Sequence, residues 1–326
     1  MEEVVRLYGF SSIAPRLPSL VKRPSVLTAK IREQTVRSFL SWTGCMTEQK
    51  NYVLFDEEFL RLVGWGIQDS IELKNPISHN QRRLVTTLLS GLFKNVHDNI
   101  REHESLRFFE LGRVWLPQRN ALSEKKRVAG IFFEKKGNVD FYEGKSVLQS
   151  LMTALDVKQG IWEKVMHHEA PWMDENRAAH IIVDDIPVGV AGMVRQSFLR
   201  ACDALDTSSA FAFEFDADYL FTCDEVGKRY RKTSKYQEVT FDVSCLVPYT
   251  STTYSVEHDI RQAHSLIERV EMIDFFEKKD WGALRSLTFR VYVQHYEHTL
   301  TRDEIDEVRE VVIGIIERHG GEVRAL

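Results

Sequence analysis

The sequence predicts an α+β protein with two successive domains: an antiparallel sheet domain, then a smaller βαββαβ domain. Three patterns lead there. Strand and helix periodicities alternate between Val128 and Asp218, with strand pairs joined by turns as short as Asp184-Asp185. The last hundred residues run strand, helix, strand, strand, helix, strand, the ferredoxin-like split βαβ order. Between the two lies GKRYRKTSK at 227–235, five cations and no acid, the composition of an interdomain linker.

Taken in order, Glu2 to Tyr8 reads as the end of a helix stopped by Gly9, followed by an extended run through Pro15, Pro18 and Pro24. Ile31, Thr35, Val36, Phe39 and Leu40 recur at helical spacing, so residues 28–42 form an amphipathic helix ended by Gly44. Tyr52–Leu54 and Ser70–Leu73 are strand-like, and Asn75-Pro76 turns the chain. Leu84, Leu88, Leu92, Val96 and Ile100 share one face of a second helix, ahead of a strand from Leu106 to Trp115. Strands follow at 128–133, 179–183, 188–194 and 212–215, with a helix at 144–154. In the last part Val239 to Val247 alternates as a strand. Val256, Ile260, Ala263, Ile267 and Val270 repeat as a helix, and Met272–Phe276 is a short strand. Leu287 to Val293 alternates again, Ile305, Val308, Val312 and Ile315 form a helix begun by Thr301 with Glu304 three residues on, and Glu322 to Leu326 closes the domain.

Composition excludes several classes. The 326 residues carry 43 Lys+Arg against 48 Asp+Glu, and no run of about 18 apolar residues exists, so a membrane span is not expected and a cytoplasmic protein is. Cys45, Cys202, Cys223 and Cys245 contain no CxxC pair and suggest neither a zinc site nor a disulfide framework. No P-loop, GxGxxG, HExxH or GxSxG occurs. His167-His168-Glu169 are sequence neighbours that point apart, and His295 and His298 flank Tyr296 at a strand end. Both groups read as surface side chains ahead of metal ligands. Arg107-Phe108-Phe109-Glu110 places charges inside a strand, where they pair within the sheet or across an interface, and no catalytic residue is assigned.

Three segments in this order carry a family resemblance: Leu73-Lys74-Asn75-Pro76-Ile77-Ser78, Leu88-Leu89-Ser90-Gly91-Leu92 and Phe109-Glu110-Leu111-Gly112-Arg113-Val114. Together they resemble the core of the β subunit of bacterial phenylalanyl-tRNA synthetase, with Val85-Thr86-Thr87 standing where the family reads an Arg-Thr pair. Ser234-Lys235-Tyr236 leading to Asp242, His298-Thr299-Leu300-Thr301 and Gly320-Gly321-Glu322-Val323-Arg324 resemble the anticodon-binding domain that ends that subunit. The opening Glu2-Glu3-Val4-Val5-Arg6-Leu7-Tyr8-Gly9-Phe10 is similar to a family segment whose two glutamates share a magnesium site with two upstream aspartates.

The resemblance implies three parts: 1–24, the end of an upstream domain and linker; 25–222, a class II synthetase-like antiparallel sheet domain without its own active site; and 228–326, a ferredoxin-fold anticodon-binding domain. It implies a non-catalytic β-subunit portion of a phenylalanine–tRNA ligase, packed on a catalytic α subunit in an α2β2 heterotetramer. The α subunit would bind ATP and phenylalanine, and this chain would bind the anticodon region of tRNA(Phe). Glu2 and Glu3 would hold Mg²⁺ weakly or not at all without the upstream aspartates. Lys228, Arg229, Arg231, Lys232 and Lys235 are expected at phosphates, Tyr236 and Tyr296 under bases, and Arg324 near the RNA. A free-standing RNA-binding or regulatory module derived from the synthetase is the alternative expectation.

Overall fold

The computed structural model describes residues 1–16, 27–67, 69–118, 121–137, 139–165, 170–227, 230 and 232–325. The chain divides into two compact units, Met1–Lys228 and Arg229–Leu326. No helix among the described residues is long and apolar enough to cross a membrane.

The first unit runs α1 (Glu2–Tyr8), α2 (Thr28–Trp42), β1 (Thr47–Glu48), α3 (Glu57–Leu62), α4 (Leu89–Asn99), β2 (Ser105–Gln118), β3 (Ala121–Glu134), α5 (Phe141–Ala154), β4 (Ile161–Lys164), β5 (Met173–Val183), β6 (Ile186–Val194), α6 (Gln196–Ala201), β7 (Ser209–Asp216) and α7 (Ala217–Thr222). Its seven strands form one sheet in the order β1-β2-β3-β7-β6-β5-β4. Among the described residues only the short β1–β2 pairing is parallel. Asp184 and Asp185 both adopt positive φ, 49° and 63°, which a two-residue turn between β5 and β6 requires.

Strand alternation explains why both faces are covered. On β3, Ala129, Ile131 and Phe133 enter a core shared with α3, α4 and α6, while Val128 and Phe132 enter a second core shared with α2, α5 and α7. Phe93 of α4 anchors the first core, its ring edge-on to Phe198 at 4.8 Å and beside the buried Trp172. In the second core Gly130 is required by a close approach: a Cβ there would lie 2.5 Å from the Phe213 ring.

The second unit runs β8 (Val239–Pro248), α8 (Thr253–Gln262), β9 (Ile267–Phe276), β10 (Leu284–Val293), α9 (Arg302–Arg318) and β11 (Glu322–Ala325). The sheet is antiparallel in the order β11-β8-β10-β9. Phe241, Val243, Cys245 and Val247 of β8 and Leu287, Phe289, Val291 and Val293 of β10 face both helices in one core, leaving the opposite sheet face open. Thr301 starts α9 with a full capping box, its hydroxyl accepting from Glu304 N while the Glu304 carboxylate accepts from Thr301 N.

Several local expectations are corrected. Ile267 and Val270 belong to β9: α8 stops at Gln262, and a turn at His264 releases the chain into a strand. Leu84 precedes α4 and forms an isolated bridge with Leu54, and Glu72 likewise bridges Arg83, so 52–54 and 70–73 are not strands. The sequence reading also missed β1, β4, α3, α6 and α7, each six residues or fewer and too short for a periodic signal.

Candidate nucleic-acid interface

The second unit gathers part of the expected site at one end of its sheet. β8 and β10 pair with Val239 opposite Val293. Beyond that pair the 234–236 segment runs beside 294–296. Two hydrogen bonds hold the extension in place: Ser234 Oγ donates to His295 O at 2.9 Å, and Gln294 Nε2 donates to Tyr236 O at 2.9 Å. Both tyrosines stay partly open, Tyr236 at 36% and Tyr296 at 38% exposure, next to the exposed Lys232 and Lys235. Lys228, Arg229 and Arg231 lie outside the described residues.

The other expected residue is elsewhere. Arg324 lies on the outer strand β11, whose Val323 pairs with Cys245, six residues along β8 and about 20 Å from its start. Its guanidinium sits 5.0 Å over the Trp281 ring. The structure therefore does not bring Arg324 to the tyrosine end.

On the open sheet face the polar groups satisfy one another. Arg290 grips Asp242 through two bonds of 2.7 and 2.8 Å, which hold the carboxyl below its ordinary range. Tyr292 donates to Glu271 at 2.7 Å, and Arg269 covers the Tyr292 ring at 3.7 Å. One face of that ring is thus unavailable for stacking. α9 carries Asp303, Glu304, Asp306, Glu307, Glu310 and Glu317, an acidic surface that repels phosphate. With 15 basic and 17 acidic residues over 227–326, any attraction to a polyanion has to be local, and 228–235 holds five of the fifteen cations.

His295, His298 and Glu304 come together beside Tyr296, with one ligand atom of each within 4.8 Å of the others. The hydrogen bonding favours a turn clasp over a metal site. His295 Nδ1 accepts from the amides of Glu297 and His298, so a neutral ring carries its proton on Nε2. His298 Nε2 lies 2.9 Å from Glu304 Oε1, and the other Glu304 oxygen caps α9. The Thr301 amide first and His298 second lower the Glu304 carboxyl from 4.5 to about 2. A lowered folded value stabilises above the unfolded one, so this contribution is complete above about pH 4.5 and lost as pH falls towards about 2. Glu304→Gln is expected to flatten acid unfolding of the second unit over that interval. An unchanged acid profile by circular dichroism would show that the clasp contributes nothing.

In the first unit the motif residues support one another. Glu110 on β2 is buried and accepts from Asn51 N at 3.0 Å and Asn51 Nδ2 at 2.8 Å. Glu214 on β7 accepts from Thr87 Oγ1 and from Leu88 N at 2.8 Å, fixing the start of α4. Arg107 bonds Glu143 at 2.7 Å and lies over Phe132. Each of these three charged groups is thus held by a partner within the first unit. Glu2 and Glu3 begin α1, exposed and drawn towards Arg6 at 3.5 and 3.8 Å. Adjacent helical side chains diverge by about 100°, so these two carboxylates alone do not fit the octahedral oxygen shell of Mg²⁺. His167, His168 and Glu169 lie outside the described residues.

The family model described as the phenylalanyl tRNA synthetase beta chain CLM domain matches residues 13–217. The chain belongs to the phenylalanyl-tRNA synthetase β chain family. A second model, the ferredoxin-fold anticodon binding domain, matches residues 234–324, which contain every strand and helix of the second unit up to the last residue of β11. Among curated relatives, the phenylalanine–tRNA ligase β subunit of Dehalococcoides mccartyi (strain CBDB1) is 26% identical over 339 residues, covering 99% of this chain and 41% of that protein. The β subunits of Bacillus licheniformis and Bacillus subtilis are 27% and 26% identical, covering 97% of this chain and 40% of theirs. The chain thus spans about two fifths of the length of the relatives it matches. Within this β chain family member, sequence reasoning missed Glu214 and Asn51 because their partners lie 126 and 59 residues away. A lone acid inside the apolar run Ala-Phe-Ala-Phe-Glu-Phe was the available signal.

Proposed function

We propose that this chain is the non-catalytic, anticodon-reading portion of a phenylalanine–tRNA ligase β subunit. The observation that carries the reading is the succession along one chain of a sheet unit of the β chain family and a unit matching an anticodon-binding domain. In this reading 1–24 is a lead-in, 25–222 the catalytic-like domain and 228–326 the tRNA-binding domain. The first unit packs on a catalytic α subunit, within an α2β2 heterotetramer in the cytoplasm, and the α subunit handles ATP and phenylalanine. Exposed apolar groups on α2, Ile31 at 56% and Trp42 at 84%, supply surface for such packing. Lys228, Arg229, Arg231, Lys232 and Lys235 meet phosphates, Tyr236 and Tyr296 meet unpaired bases, and Arg324 contributes at the sheet edge. Glu2 and Glu3 add to Mg²⁺ binding only together with ligands from outside this chain.

The chain alone is expected to give no phenylalanine-dependent ATP–pyrophosphate exchange and to restore aminoacylation of tRNA(Phe) only with an α subunit and the rest of the β subunit present. Exchange by an α-free sample would overturn the non-catalytic reading. Failure to co-purify with any α subunit while still binding RNA would favour a free-standing module.

A further inference from the structure

β2 is longer than its outer neighbour. β1 ends at Glu48, level with Phe109, and Gln49 N donates to Phe109 O at 2.7 Å. The outer edge is next bonded at Trp115, whose N–H donates to Val85 O at 2.9 Å. β2 pairs with β3 without a bulge along its whole length, so the period of two turns the N–H and C=O groups of Leu111 and Arg113 to that same outer edge. Among the described residues nothing bonds those four groups. Backbone polar groups in regular strands are nearly always paired, so an open stretch of edge within a cavity is a place for a partner.

The cavity there is about 580 Å³. Its two walls differ in chemistry. Arg113 and Lys126, opposite one another on β2 and β3, project to the α2 side, where Lys30 and Arg37 join them. Lys30, Arg37 and Lys126 all converge on Glu33, at 3.0, 2.6 and 3.6 Å, so one carboxylate faces three cations. Lys50 adds a further exposed cation, making five cationic side chains against Glu33 and Glu110 in the lining, with Glu48 and Glu124 outside it pairing Arg37 and Arg113 at 2.9 and 3.0 Å. The opposite wall, on the side of Glu110 and Gly112, is formed by Leu88, Ser90 and Gly91, small or apolar. A cavity glycine matters here: a Cβ at Gly91 would lie 3.0 Å from Asn51.

We propose that this cleft receives an extended, acidic peptide segment of another chain, which pairs with the free edge of β2 collinear with β1. The strand period places alternate side chains on opposite walls, so acidic residues face Lys30 and Lys126 while small apolar residues face Leu88 and Gly91. From Phe109 to Trp115 the edge spans about 20 Å, room for a strand of about three to five residues. The proposal concerns the first unit alone and does not depend on the ligase assembly.

The test uses the full chain and a capped heptapeptide of alternating glutamate and valine. Binding is expected with at least tenfold slower amide exchange at Leu111 and Arg113. The double variant Lys30→Glu with Lys126→Glu should weaken it at least tenfold, and the lysine–valine counterpart should bind at least tenfold more weakly. Should the variant fail to fold, N-methylating the peptide's alternate amides decides on the natural chain: loss of binding supports strand pairing and retention overturns it. Equal binding of the lysine peptide, absent protection at Leu111 and Arg113, or protection by ATP and not by peptide would each overturn the proposal, the last in favour of a small-molecule cleft.

Discussion

Glu214→Ala is expected to destabilise the first unit by about 1–3 kcal/mol, because it leaves the Thr87 hydroxyl and the Leu88 N–H without their acceptor in a part-buried site. Glu214→Gln should lose far less, since an amide oxygen can still accept from both. Burial raises the Glu214 carboxyl above its ordinary 4.5, with the Leu88 N–H and Arg127 opposing. A raised folded value means that the native state holds the proton longer than the unfolded chain. This contribution is therefore fully present below about pH 4.5 and is lost as pH rises through the folded value. Urea unfolding followed by tryptophan fluorescence reports the first unit, which holds five of the six tryptophans. As pH rises above about 4.5 the Gln variant should lack the natural chain's pH-dependent loss. Equal stability of the Ala variant and the natural chain would show that α4 is held by packing alone.

Glu214 and Glu304 pull stability in opposite directions with pH, and they differ in how far sequence could reveal them. Glu304 sits three residues after Thr301 before an apolar stripe, a local pattern that announces a capping box. Glu214 is one acid among phenylalanines, and its meaning depends on Thr87 and Leu88, which only the folded sheet brings near. The same distinction separates correct and incorrect elements. Val239 to Val247 and Ile305 to Ile315 keep a single period over their whole length and are read correctly. Val256 and Ile260 lie on α8, but Ile267 and Val270 continue the helical spacing by coincidence across a turn that has no glycine or proline to mark it. The tyrosine end of the second unit was half legible. The family resemblance singled out Tyr236 and Tyr296, whereas the nearness of their two segments follows from the bonds of Ser234 and Gln294 across them.

That juxtaposition sets the largest expected effect on RNA binding. In the α/β complex proposed above, replacing Arg229, Arg231 and Lys232 together by Ala should weaken tRNA binding equally for matched and unmatched anticodons. It should also flatten the dependence of log K on log salt by about 0.7 to 0.9 per lost phosphate contact, or about 2 to 3 overall. Tyr236→Ala and Tyr296→Ala should act differently, each costing about 1–3 kcal/mol of binding where the ring stacks on an unpaired base, with little change in salt slope. Their partial exposure separates recognition from packing: rings more than a third open contribute little to the core, so the melting temperature should hold while affinity falls. Filter binding of tRNA(Phe) at several salt concentrations, paired with thermal melts, distinguishes the cases. An unchanged slope in the triple variant would remove the 228–235 segment from the RNA surface, and tyrosine variants that melt early without losing affinity would make both rings part of the sheet's packing.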